Sequence, residues 1–138
     1  MIIIKKVFLG GTCNESAWRE ELIQMLDIDY FNPIVDDWTE ECYIEELRQR
    51  VICDYCLYVI TPRMTGVYSI AEVVEDSNKR PKKTIFCYLD NDDDECGYKV
   101  FFDDGQLMSL ERVGKMIESN GGKFFKSLRE VANYLNSK

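Results

Sequence analysis

The stretch FLGGTCNESAWREEL, residues 8–22, gathers several groups that could do chemistry. Cys13 and Arg19 stand in the C-x5-R spacing that can set a thiolate beneath a phosphate with a guanidinium beside it. Such a cradle needs small residues whose amides all turn inward. This one would hold Glu15, whose charge repels phosphate, and Trp18, which belongs to a helix face. Glu20 stands where a hydroxyl is wanted, so phosphate-ester cleavage is disfavoured and the thiol is read as incidental. Gly10 and Gly11 would let a ligand approach the backbone, and a helix following them would aim its first amides at the same place. A strand-to-helix turn with glycines for packing reads the same residues equally well.

Other chemistries are excluded by what surrounds the remaining reactive groups. The chain has no histidine, which removes serine–histidine and cysteine–histidine nucleophile pairs. Cys53 and Cys56 form a CxxC, but no second CxxC accompanies it, and a tetrahedral zinc site wants four ligands. Two small residues packed at a core junction are the better reading. With no export signal in view, the six cysteines are expected to be reduced thiols. The acidic run DNDDDE, residues 90–95, lacks the spacing of a calcium loop and reads as a solvated loop. No metal and no cofactor are expected.

The elements that must position these groups alternate in type. A nearly continuous apolar run at 2–9 predicts a first strand buried in a parallel sheet. A helix over about 15–26 follows, with Thr12 and Glu15 spaced for a capping box. A short strand at 29–31 leads into the loop NPIVDDW, and a second helix from Thr39 is expected to carry Ile44, Leu47 and Val51 inward. A third strand at 56–61, the loop PRMTG and a third helix at about 68–78 come next, the helix with Ile70, Val73 and Val74 as its stripe. A fourth strand at 84–88, an edge strand or loop at 98–102, a helix at 107–118, a fifth strand at 123–125 and a last helix capped by Ser127 complete the pattern. Strands alternating with helices imply parallel pairing with right-handed crossovers. The expected architecture is a single-domain α/β three-layer sandwich of about five parallel strands, flavodoxin-like in order, with the first strand central. Ligands bind outside the carboxyl ends of such strands, where the loops at 10–14, 33–38 and 62–68 would converge.

Composition narrows the partners. At 138 residues the chain reads as one domain, and such a chain buries roughly two thirds of its unfolded surface. The formal charge of −8 and the lack of a basic stripe argue against nucleic acid. No apolar run approaches the ~20 residues of a membrane span, and the N-terminus reads as a strand rather than a signal peptide, so a cytoplasmic location is expected.

KVFLGG at 6–11, FNPIVDDW at 31–38, CDYCLYVITPRMTG at 53–66 and KRPKKTIF at 79–86 resemble the nucleoside 2-deoxyribosyltransferase superfamily. More closely, they resemble its small deoxyribosyltransferase-like branch, over residues 4–90. The resemblance implies a flavodoxin-like homo-oligomer, expected to be a dimer, that needs no cofactor. It also implies cleavage of the N-glycosidic bond of deoxynucleosides or their monophosphates by a glutamate at the start of the third helix. On GVYSIAEVVEDS, residues 66–77, two registers stand. Matching Ile70-Ala71 to the family's apolar–small pair puts Ser69 in the nucleophile's place. At about 100° per residue, Glu72 then lies roughly opposite the stripe of Ile70, Val73 and Val74. Shifting the match makes Glu72 the nucleophile and improves the spacing to Lys79-Arg80-Pro81. Phe8 stands where the family has a tyrosine, and Glu46 matches an acidic family position.

Two readings follow. In one, Glu72 attacks the sugar while Asp36, Asp37 or Glu46 holds it or relays protons, the minimum parts for glycosidic cleavage. In the other, the fold keeps a nucleoside or nucleotide pocket and only binds. Both expect Gly10, Gly11, Thr12, Asn14, Pro33, Asp36, Trp38, Gly66, Tyr68 and Ser69 around the ligand.

Overall fold

The computed structural model describes residues 3–13 and 15–137. Five strands form one parallel sheet: β1 (Lys6–Gly11), β2 (Asp29–Phe31), β3 (Tyr55–Ile60), β4 (Thr84–Tyr88) and β7 (Lys123–Phe125). Their order is β2-β1-β3-β4-β7, as expected of a flavodoxin-like sandwich. The middle strand, however, is β3 and not β1, because β3 is the most apolar run and all six of its residues are buried. Helices α1 (Trp18–Met25) and α5 (Leu128–Asn136) cover one face, over Val7, Leu9, Leu57, Val59 and Ile85. On the other face, α3 (Tyr68–Lys79) and α4 (Asp104–Ser119) cover Phe8, Tyr58, Ile60 and Phe86, and α2 (Glu40–Ile52) ends there at Cys53. Each such side chain, fully buried, contributes about 1.5–3 kcal/mol. Cys53 and Cys56 are buried free thiols at this junction.

Several boundaries differ from the expected ones for local reasons. Strand β1 begins at Lys6, leaves Ile3 and Ile4 exposed and runs on through both glycines. Gly11 takes a φ of +117°, and a Cβ there would lie 2.0 Å from the Val59 carbonyl oxygen. A Cβ on Gly10 would press on the Tyr58 ring at 2.7 Å. The glycines are thus required by packing against β3. The capping box does not form. Glu15 sits at φ 62°, outside helical space, so α1 starts only at Trp18. Thr12 instead accepts the Thr61 N–H on its hydroxyl at 2.9 Å, tying the end of β1 to the end of β3.

The acidic run is not a plain loop. Residues Asn91–Asp93 form β5, antiparallel to β6 (Lys99–Phe101), in a separate hairpin. Asp92 accepts hydrogen bonds from Ser16 and Thr61 hydroxyls at 2.5 Å each, which fastens the hairpin to the loop after β1 and the end of β3. Helix α2 also departs from expectation. Ile44, Leu47 and Val51 are 57%, 39% and 59% exposed, while Gln49 and Arg50 are buried. The inner face of α2 is polar because it meets acids on α3. Its apolar stripe is left facing outward.

Candidate functional site

At the carboxyl ends of β1 and β3, two adjoining cavities of about 290 and 350 Å³ share Gly11, Cys13, Tyr68, Ser69 and Glu72. The smaller is closed by Thr12, Met64 and Gly66 from the first and third loops. The larger is closed by Phe8, Gly10, Arg19, Pro33, Trp38, Tyr43 and Glu46. The switch-point loops therefore converge as the topology requires. Asp36 and Asp37 do not join them: both are exposed on the loop before α2 and line neither cavity. That loop turns Pro33 and Trp38 toward the site and leaves its two acids in solvent. Asn14 lies outside the described residues.

The C-x5-R stretch is explained by its hydrogen bonds. Arg19 is 2% exposed, with Nε on the Leu9 carbonyl at 3.0 Å, Nη1 on Thr12 at 2.6 Å and Nη2 on Gly11 at 3.3 Å. The Trp18 indole N–H adds a bond to the Thr12 carbonyl at 2.8 Å. Carbonyls, not amides, turn toward the arginine, which is the wrong polarity for a phosphate cradle. Among the described residues lining the two cavities, α1 contributes Arg19 alone, so the anticipated fan of α1 amides is not what shapes the site. The helix whose start does line it is α3. Its cap, Val67, makes no side-chain cap bond, and Tyr68 and Ser69 stand in its first turn. The positive end of that helix therefore borders the ligand space.

Glu72 is where the sequence pattern misled. It does not lie opposite the apolar stripe in solvent: its side chain is 19% exposed and lines both cavities. The solvent face of α3 is Ala71, Glu75 and Asn78, whereas Val73, Asp76 and Ser77 are buried. The inward arc is wide because α3 meets the sheet and also Arg50, whose long side chain reaches over from α2 to Glu72 Oε2 at 3.3 Å. Burial pushes the Glu72 carboxyl up to about 7; Arg50 pulls it down, and Glu46, Asp76 and Glu75 push it up. Glu46 is half-buried and is also raised by burial, against a hydrogen bond with Trp38 and the charges of Arg19 and Arg50. Tyr43 and Tyr68 form part of the wall of the larger cavity. Sequence reasoning missed Arg50 and Tyr43. Their signal was present only as polar residues flanking an apolar stripe.

The raised Glu72 has a consequence for stability. In the unfolded chain a glutamate titrates near ~4.3. Between that pH and about 7 the folded protein holds a proton that the unfolded chain has released, so stability falls as pH rises through this window and then levels off. Glu72→Gln removes the titration. Relative to wild type, it should gain about 2–3 kcal/mol more at pH 8 than at pH 4, read from urea unfolding at both values. Parallel pH dependence in the two proteins would show that Glu72 is not the buried acid described.

A family model described as nucleoside 2-deoxyribosyltransferase like matches residues 4–91. No curated protein and no solved structure matches the chain.

Proposed function

Because the chain belongs to the nucleoside 2-deoxyribosyltransferase-like family, we propose that it processes the N-glycosidic bond of a 2-deoxynucleoside or its monophosphate, with Glu72 as nucleophile. The observation that supports this most is the position of Glu72: a partly shielded carboxylate on the floor of both cavities, one turn below the start of α3. One Glu72 oxygen forms a bond to the anomeric carbon while the bond from that carbon to the base nitrogen breaks. The bonding pair leaves with the base, which takes a proton. Asp36 and Asp37 stand away from the cavities, so the acid that supplies the proton is Glu46, held toward its protonated form by burial. Water, or a second base, then attacks the same carbon and returns Glu72 as a carboxylate, water handing its proton to Glu46. The experiment is to incubate the purified protein with deoxynucleosides and their monophosphates and follow free base by chromatography. Release from at least one is expected.

A second reading is favoured by one observation. Ser69, which one register places at the family's nucleophile position, also lines both cavities, and Glu72 is engaged by Arg50. A binding module would show ligand affinity with no release from any compound.

The same proposal includes a homodimer. Ile44, Leu47 and Val51 form an exposed stripe along α2, and Ile34, Val35, Trp38, Val67 and Tyr68 are exposed on neighbouring segments at the cavity rim. An apolar face of this extent on a surface helix is normally covered by a partner. Leu47→Glu should convert the dimer to monomer in sedimentation at micromolar concentration. A wild-type monomer under the same conditions would refute the dimer.

A further inference from the structure

We infer that Arg50 is the positioning residue for Glu72, holding its carboxylate at the cavity floor from a buried anchor on Asp76. This rests on the reading of Glu72 as nucleophile. The side chain of Arg50 is 3% exposed, and three acids of α3 at positions 72, 75 and 76 converge on its guanidinium. The grip on Asp76 is the firm one: Nη2 meets Oδ1 at 2.9 Å and Nε meets Oδ2 at 3.3 Å, the two-pronged geometry that a guanidinium and a carboxylate favour. Asp76 is itself fully buried, accepting the Tyr58 hydroxyl at 2.5 Å and pairing with Arg80. Glu75 is met at 2.9 Å on the exposed side. Glu72 is held by one longer bond, from Nη1 to Oε2 at 3.3 Å, and its other oxygen accepts no hydrogen bond from a described residue. A nucleophile wants this arrangement. One oxygen is steadied and the other is left toward the substrate.

The charge matters as much as the direction. Glu72 faces Glu46 and Tyr43 from α2, Glu75, Asp76 and Tyr68 from its own helix, and Cys13 from the loop after β1. Burial and the surrounding acids all favour its protonated form, and Arg50 is the cation that pulls against them, with Arg19 in the wall of the same larger cavity. Without Arg50 the carboxyl would stay neutral at physiological pH and could not attack.

The test uses Arg50→Gln and Arg50→Lys in the full chain with two readouts. In carboxyl-carbon NMR, the Glu72 resonance is identified by its loss in Glu72→Gln, and its titration midpoint is followed in each variant. Removing an opposite charge within hydrogen-bonding reach should move that midpoint upward by about 1–3 pH units in Arg50→Gln. Arg50→Lys, which keeps the charge but not the fork, should recover part of the difference. In the pH profile of base release, the rising limb should move by the same amount, with kcat at pH 7 reduced at least tenfold and KM little changed. Should Arg50→Gln fail to fold, Arg50→Lys decides, with its midpoint expected half a unit or more above wild type. A midpoint unchanged in every folded variant overturns the inference. Absence of base release by the wild type refutes the nucleophile reading instead, and the NMR titration still tests the hold of Arg50 on Glu72.

Discussion

Glu72→Gln is expected to abolish base release while leaving ligand binding within a few-fold of wild type. The loss should be several orders of magnitude, since removing a covalent nucleophile takes away an interaction made only as the bond forms. Glutamine keeps the shape of the side chain and an oxygen for Arg50 Nη1, now 3.3 Å from Oε2, so the cavities should be preserved. The amide cannot form a stable ester with the anomeric carbon. Binding is measured by calorimetry with the compound that wild type cleaves best. A loss of less than tenfold would remove Glu72 from the reaction and turn attention to Ser69, one turn earlier and lining the same cavities. The variant should also be the more stable protein at pH 8, because the wild type ionises a half-buried carboxyl there. Greater stability combined with lost turnover is the signature of a group kept for chemistry at some cost to the fold.

The sheet was legible because three of its five strands are largely apolar runs of five or six residues, such as YCLYVI and TIFCY, that alternate with helical patterns. The convergence of loops followed from that alternation. What escaped were places where a polar group has a partner far along the chain. Arg50 and Asp76 lie 26 positions apart, and nothing in either neighbourhood marks them as a buried pair. Periodicity assigned the apolar stripe of α2 to the core because a stripe usually faces inward; here it faces out and the charged residue faces in. The same assumption turned Glu72 outward, as it allowed α3 only the sheet as a neighbour. Strand β5 was hidden for another reason. Its residues, NDD, have no apolar alternation, and it is held by its hairpin partner and by Asp92 on Ser16 and Thr61. Thr12 offered a local cap to its own helix, but the Thr61 amide, 49 positions away, took the hydroxyl.

Asp76→Ala should be the most destabilising single change in the molecule outside the apolar core. Asp76 is fully buried and accepts from Arg50, Arg80 and the Tyr58 hydroxyl, so its removal takes the buried partner from Arg80 and leaves Arg50, whose side chain is only 3% exposed, with Glu72 and Glu75 alone. Tyr58 loses its partner at the same time. Its phenol is held protonated by burial and by the carboxylate beside it, and it would be left as a buried donor without an acceptor. Breaking a buried ion pair from one side costs about 3–5 kcal/mol, a large part of the about 5–15 kcal/mol that holds a typical domain together. In urea unfolding the midpoint should fall accordingly with the slope unchanged. Tyr58→Phe alone should cost about 1.5–3 kcal/mol, the worth of a hydrogen bond to a charged group. In an Asp76→Ala background it should cost much less, because the bond it removes is already gone. That non-additivity is the diagnostic part: a cavity effect at position 76 would leave the two losses additive. A drop below about 1 kcal/mol for Asp76→Ala, or full additivity with Tyr58→Phe, would show that the cluster does not act as a unit. The anchor proposed for Arg50 would then have no footing.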